Sequence, residues 1–177
     1  MIHEVSKALQ DMLSSQLYPE WLMDQDGVQP CIPSHENQDY KVGIYLYDLA
    51  EYSIAAQRYA TITDHTRVFP SKLISLSYLI YVNEEVQFGG YNKEQEEVLL
   101  ERMIQVIHDT SALEAAQQHV NLQFENVDVE NKIRLWQSLN KPLQPALYIK
   151  VLPVEIKSNR QEEVTLVHDI TLKSEPT

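Results

Sequence analysis

Histidine–carboxylate pairs, one cysteine, a diglycine and paired glutamates are the residues of this chain that could do chemistry. His108–Asp109 and His168–Asp169 are adjacent in sequence, and sequence neighbours on a helix or strand do not point at a common atom. His35 and Asp39 stand at i, i+4, a spacing that means proximity only on a helix, and this pair lies in a proline-punctuated segment. The simplest reading of the six histidines is exposed side chains, and no metal site is expected. Cys31, in "QPCIP", has no helix N-terminus or basic neighbour to lower its pKa, so it reads as an ordinary thiol. "FGG" could cradle an anion, but two glycines before a helix most simply make a turn. Glu84–Glu85 and Glu96–Glu97 would need a cleft to act as an acid/base pair; as they stand they read as solvated faces. The zinc-protease, nucleophile-elbow, P-loop and dinucleotide signatures do not occur. The motifs predict no catalytic residue, no metal and no cofactor.

The bulk composition narrows the partners. With 26 acidic against 14 basic side chains the formal charge is −12. Such a field repels phosphate backbones and anionic lipid, so neither nucleic acid nor a membrane is an expected partner. A lone cysteine excludes an intrachain disulfide framework and suits a reducing compartment. The N-terminal "MIHEVSKALQDML" has no uninterrupted apolar run of the signal-peptide kind, and 18 apolar residues never run together. Synthesis in the cytoplasm is the expectation. At 177 residues the chain fits one domain spanning 1–177, able to bury roughly 70% of its unfolded surface.

The elements follow from periodicity. Ile2, Val5, Leu9, Met12 and Leu13 recur at helical spacing. From 17 to 38 the pattern is lost among Pro19, Gly27, Pro30 and Pro33, which predicts a long irregular connection with at most one short strand. "YKVGIYLYDLAEY" alternates as a half-buried strand, and "KLISLSYLIYV" is apolar on both faces, as a central strand is. Residues 53–69 either extend the first strand or form a hairpin arm. Gly89–Gly90 marks a turn, and Asn92 is placed to cap a helix that turns Val98, Leu99, Met103, Val106 and Ile107 inward. A short helical patch is expected around Leu113 to His119, then a strand at "VNLQF". Asp128 is placed to cap a helix carrying Val129, Ile133, Trp136 and Leu139 in one stripe. Pro142 should stop that helix, and Pro145 keeps the chain extended into a strand holding Leu147, Ile149 and Val151. Pro153 should end that strand or mark an edge. A last alternating segment, Val164 to Leu172, forms a C-terminal strand or arm over 160–177. The result is an α+β domain: a mixed, mainly antiparallel sheet with helices packed on it. Its expected core includes Val98, Leu99, Met103, Ile133, Trp136, Leu139 and Ile149.

Tyrosine is the unusual residue, at 10 copies against 3 phenylalanines. Its apolar body and polar tip suit protein interfaces. Tyr45 and Tyr47 should stand on the opposite face of their strand from its apolar residues, where either a helix or a neighbouring subunit covers them. Ile32 in the proline-rich connection and Val164, Leu166 and Ile170 in the C-terminal arm are further candidates for subunit contact, since an unpaired strand can be completed by a neighbour.

In order along the chain, "IYLYDLAEY", "RVFPSKLISLSYLIYV", "EEVLLERMIQVIHDTSAL" and "LWQSLNKPLQPALYIKVLPVEI" resemble the cap, or tail-terminator, family of extracellular contractile injection systems, the phage-tail-like particles of the virulence-cassette and antifeeding-prophage type. The resemblance runs from the first helix to about Lys173. It implies a fold similar to phage tail terminators and a sixfold ring at the baseplate-distal end of tube and sheath, with inner tube and sheath subunits as partners. The chain departs from the pattern in "FPSK", where a double proline is expected, and in stopping after "VHDITLKSEPT" where some relatives continue. A tube/sheath adaptor in the same particle, or a small-ligand-binding regulatory domain, remains an alternative reading of the residues.

Overall fold

A computed structural model describes residues 1–33, 40–52, 60–63, 66–83 and 93–163. The first helix, α1, spans Ile2–Leu17 and buries Val5, Leu9 and Leu13 of the expected stripe, with Ile2 and Met12 partly buried beside them; Leu17, expected to open the irregular connection, is instead the last buried residue of the helix. It ends where Tyr18 turns extended ahead of Pro19, as a residue before proline must. A single 3-10 turn, Gln25–Gly27, leads into the short strand β1, Val28–Pro30.

Two long strands follow, β2 at Val42–Glu51 and β5 at Lys72–Val82. Between them lie the small strands β3 (Thr61–Thr63) and β4 (Thr66–Val68), so the chain takes the hairpin-arm alternative. Helix α2 spans Lys93–Thr110. The chain continues through β6 (Ala112–Ala115), β7 (Gln118–Phe124), helix α3 (Val129–Ser138), β8 (Ala146–Ile156) and β9 (Gln161–Glu163). Six strands form one sheet in the order β1-β2-β5-β8-β7-β6, and β3-β4-β9 form a second, small one. Among the described residues only β1–β2 pairs in parallel; the other pairings are antiparallel.

The period of two along β5 sorts its side chains between two cores. Leu76, Tyr78 and Ile80 join α1 and α2 in the larger one, with Leu147, Ile149 and Val151 of β8. Leu79 and Tyr81 face the other way and pack with Trp136, Leu139 and Tyr148 under α3. Helices α1 and α2 therefore lie on one face of the sheet and α3 on the other. Lys41, buried just before β2, reaches Glu96 of α2 at 3.4 Å, which ties the start of that helix to the sheet.

Four expectations need correction. The segment 113–119 is not helical. Leu113 and Ala115 alternate inward on β6, and Ala116 and Gln117 turn the chain at φ 48° and 63°. Left-handed turns normally advertise themselves with Gly or Asn, and here neither is present. Nor does Pro142 stop α3. Asn140 does, at φ 56°, with Lys141 N–H bonded to the Trp136 carbonyl and Asn140 N–H to that of Gln137, the paired closing bonds of a Schellman end.

Pro153 neither ends β8 nor lies at an edge. It sits inside β8 where Leu152 and Pro153 together oppose Ser75 of β5, a bulge between Ile74–Val154 and Leu76–Val151. A bulge relieves proline of the ladder hydrogen bond it cannot donate. On the β7 side the Gln118 amide takes over the pairing, accepting from Glu155 N–H at 2.9 Å and donating to its carbonyl at 3.0 Å.

The core assignments of Val98 and Ile133 also fail. They are 38% and 37% exposed, and Val129 is 63% exposed. Each helix touches the sheet through a narrower stripe than its apolar pattern offers: Leu99, Met103, Val106 and Ile107 on α2, and Leu135, Trp136 and Leu139 on α3. Leu99, Met103, Trp136, Leu139 and Ile149 are buried. The predicted Gly89–Gly90 turn, the Asn92 cap, the Glu84–Glu85 pair, the His35–Asp39 spacing and the strand from Val164 to Leu172 lie outside the described residues.

Candidate assembly surface

The face of the sheet under α3 is where the tyrosines gather. Tyr81 meets Tyr40 and Trp136 edge-on, with ring centres 6.3 and 6.1 Å apart, the arrangement the ring quadrupole favours. Each polar tip in this apolar layer has a partner: Tyr40 and Tyr81 hydroxyls are 2.7 Å apart, and Trp136 Nε1–H donates to the Tyr148 hydroxyl at 3.0 Å. Burial pushes the pKa of Tyr81 and of Tyr148 upward, so both stay neutral. Cys31 Sγ lies 3.3 Å from the Tyr81 hydroxyl, and its burial likewise raises the thiol's pKa, which keeps it an inert thiol.

Space for Tyr81 is made by Gly43, its cross-strand partner. A Cβ on Gly43 would fall 2.2 Å from Tyr81 Cζ. The phenol end of the ring occupies the place of the missing side chain.

Further along this face the layer turns polar. A bulge in β2 opposite the Tyr78–Ser77 step releases Tyr47 from the pairing register. Its hydroxyl donates to Glu125 Oε2 at 3.0 Å, and Lys150 Nζ sits 2.8 Å from Glu125 Oε1. Burial works to raise the Glu125 pKa, but the hydrogen bonds from Lys150 and Tyr47 outweigh it and hold the carboxyl below the usual range. A carboxylate with a depressed folded pKa adds stability above its unfolded pKa, about 4.3 for Glu, and loses it as pH falls through the folded value. Glu125→Gln should therefore unfold at a lower urea concentration than wild type at pH 7. The gap should narrow as the pH drops below about 4; an equal gap at pH 7 and pH 3 would contradict this role.

Among the residues assigned from sequence to subunit contact, Tyr45 and Tyr47 are half-buried at the rim of the second core, and Ile32, two residues past β1, is 39% exposed. Val164, Leu166 and Ile170 lie outside the described residues. The Tyr47–Glu125–Lys150 group, the Gly43–Tyr81 contact and the buried Lys41–Glu96 pair were not foreseen. Glycine opposite a β-strand tyrosine was the one signal available, and it depends on knowing the register.

Among the described residues the remaining polar groups form no convergent centre. His108 Nδ1 and Asp109 are 3.4 Å apart and His119 Nδ1 and Glu114 2.6 Å apart, both pairs on open surface. Among the described residues no three His, Cys, Asp or Glu side chains meet as a metal site. Two clefts flank the Gln144–Val82 contact. One, of about 180 Å³, is walled by Pro33, Trp136, Lys141 and Pro142; the other, of about 110 Å³, by Lys93, Glu96 and Pro145. Both are below the roughly 300 Å³ at which small-molecule sites begin. No described helix is long and apolar enough to cross a membrane.

A curled, mainly antiparallel sheet with two helices on one face and one on the other is the fold of tube-terminator proteins. The sheath/tube terminator of PVC, an extracellular contractile injection system, in its extended state, superposes with a TM-score of 0.67 at 18% identity, over 100% of this chain and 64% of that one. The tube-terminating cap of the anti-feeding prophage superposes with a TM-score of 0.69 at 18% identity, over 97% of this chain and 61% of the cap. Both were determined by cryo-EM, and this chain spans less than two thirds of either. The chain belongs to the Pvc16 N-terminal domain family, whose profile matches residues 4–169. No curated protein sequence matches it.

Proposed function

We propose that this protein is a structural, non-catalytic terminator that forms a ring on the baseplate-distal end of the tube and sheath of a contractile injection system and ends tail growth. The observation that carries this reading is family membership over nearly the whole chain, joined to a fold that matches part of each of two terminators over at least 97% of this chain. The ring is a homo-hexamer, and its partners are inner tube and sheath subunits. Residues 1–177 act as one tail-terminator domain, with 17–38 and the 160–177 arm as connecting and contacting segments. Tyr45 and Tyr47 on the α3 side, with Ile32 after β1 and Val164, Leu166 and Ile170 of the arm, contribute to subunit contacts. The protein is made in the cytoplasm and becomes a component of an assembled phage-tail-like particle.

A closed ring requires head-to-tail contacts between two different surfaces of each subunit. Polymerising tube subunits with and without the protein tests the role. Shorter tubes of narrower length distribution, each bearing density at one end, are expected. Unchanged lengths with density along the tube wall would instead identify an adaptor.

A further inference from the structure

We draw no further inference here: the strongest candidate, the cleft of about 180 Å³ between the end of α3 and the end of β5, walled by Trp136, Asn83 and Pro142, carries nothing, because the Asn83 amide and the Tyr81 hydroxyl in its wall are already bonded to Tyr40 and nothing among the described residues shows what would fill it.

Discussion

Trp136→Ala is expected to lower the stability of the domain by about 3–5 kcal/mol, a fall in Tm of roughly 6–20 °C for a chain of this size. The side chain is 1% exposed and fills the second core between Tyr81 and Tyr148. Truncation would leave a cavity under α3 and strip the Tyr148 hydroxyl of its indole donor, and a buried polar group left without its partner adds to the cost. Helix α3 has ten residues, too few to persist without its tertiary contacts, so the loss should spread to the whole helix. Urea melts followed by far-ultraviolet circular dichroism measure it. A variant with wild-type melting that fails only to assemble would mean that Trp136 serves the subunit contact instead.

Gly43→Ala should destabilise by about 3 kcal/mol, from overpacking and the loss of a buried hydrogen bond. One methyl group at Gly43 would collide with the Tyr81 ring, whose nearest atom lies 2.2 Å away. Tyr81 is 2% exposed and has no outward path, so the ring must tilt and its 2.7 Å bond to Tyr40 must break. The double variant Gly43→Ala, Tyr81→Leu isolates the cause. If the clash is responsible, the alanine costs far less in the leucine background; an equal cost in both backgrounds would locate the penalty in the strand itself.

The parts of this fold that sequence periodicity made visible are those where one rule acts alone. The two-sided pattern of "KLISLSYLIYV" correctly divides β5 between two cores, and Asp128 does cap α3, accepting the Asn131 N–H at 2.9 Å. The misses arise where a second constraint competes. Ala116 and Gln117 adopt left-handed φ without the residues that signal it, so a hairpin resembled a helix. Asn140 ended α3 before Pro142 could. A bulge let Pro153 stay within a central strand. Periodicity also cannot tell a residue in the buried stripe of a helix from one at its margin. Val98 and Ile133 therefore looked like core residues although each only flanks the buried stripe of a correctly assigned helix. The tyrosine excess was read as a sign of subunit contact, but Tyr40, Tyr81 and Tyr148 are consumed by the domain's own second core.

The measurement that bears most directly on the central claim is the mass of the purified protein by light scattering after size exclusion, alone and after addition of tube subunits. The account predicts a species of six 20.5 kDa chains in at least the second condition, carried on tube ends. A monomer in both conditions would contradict it.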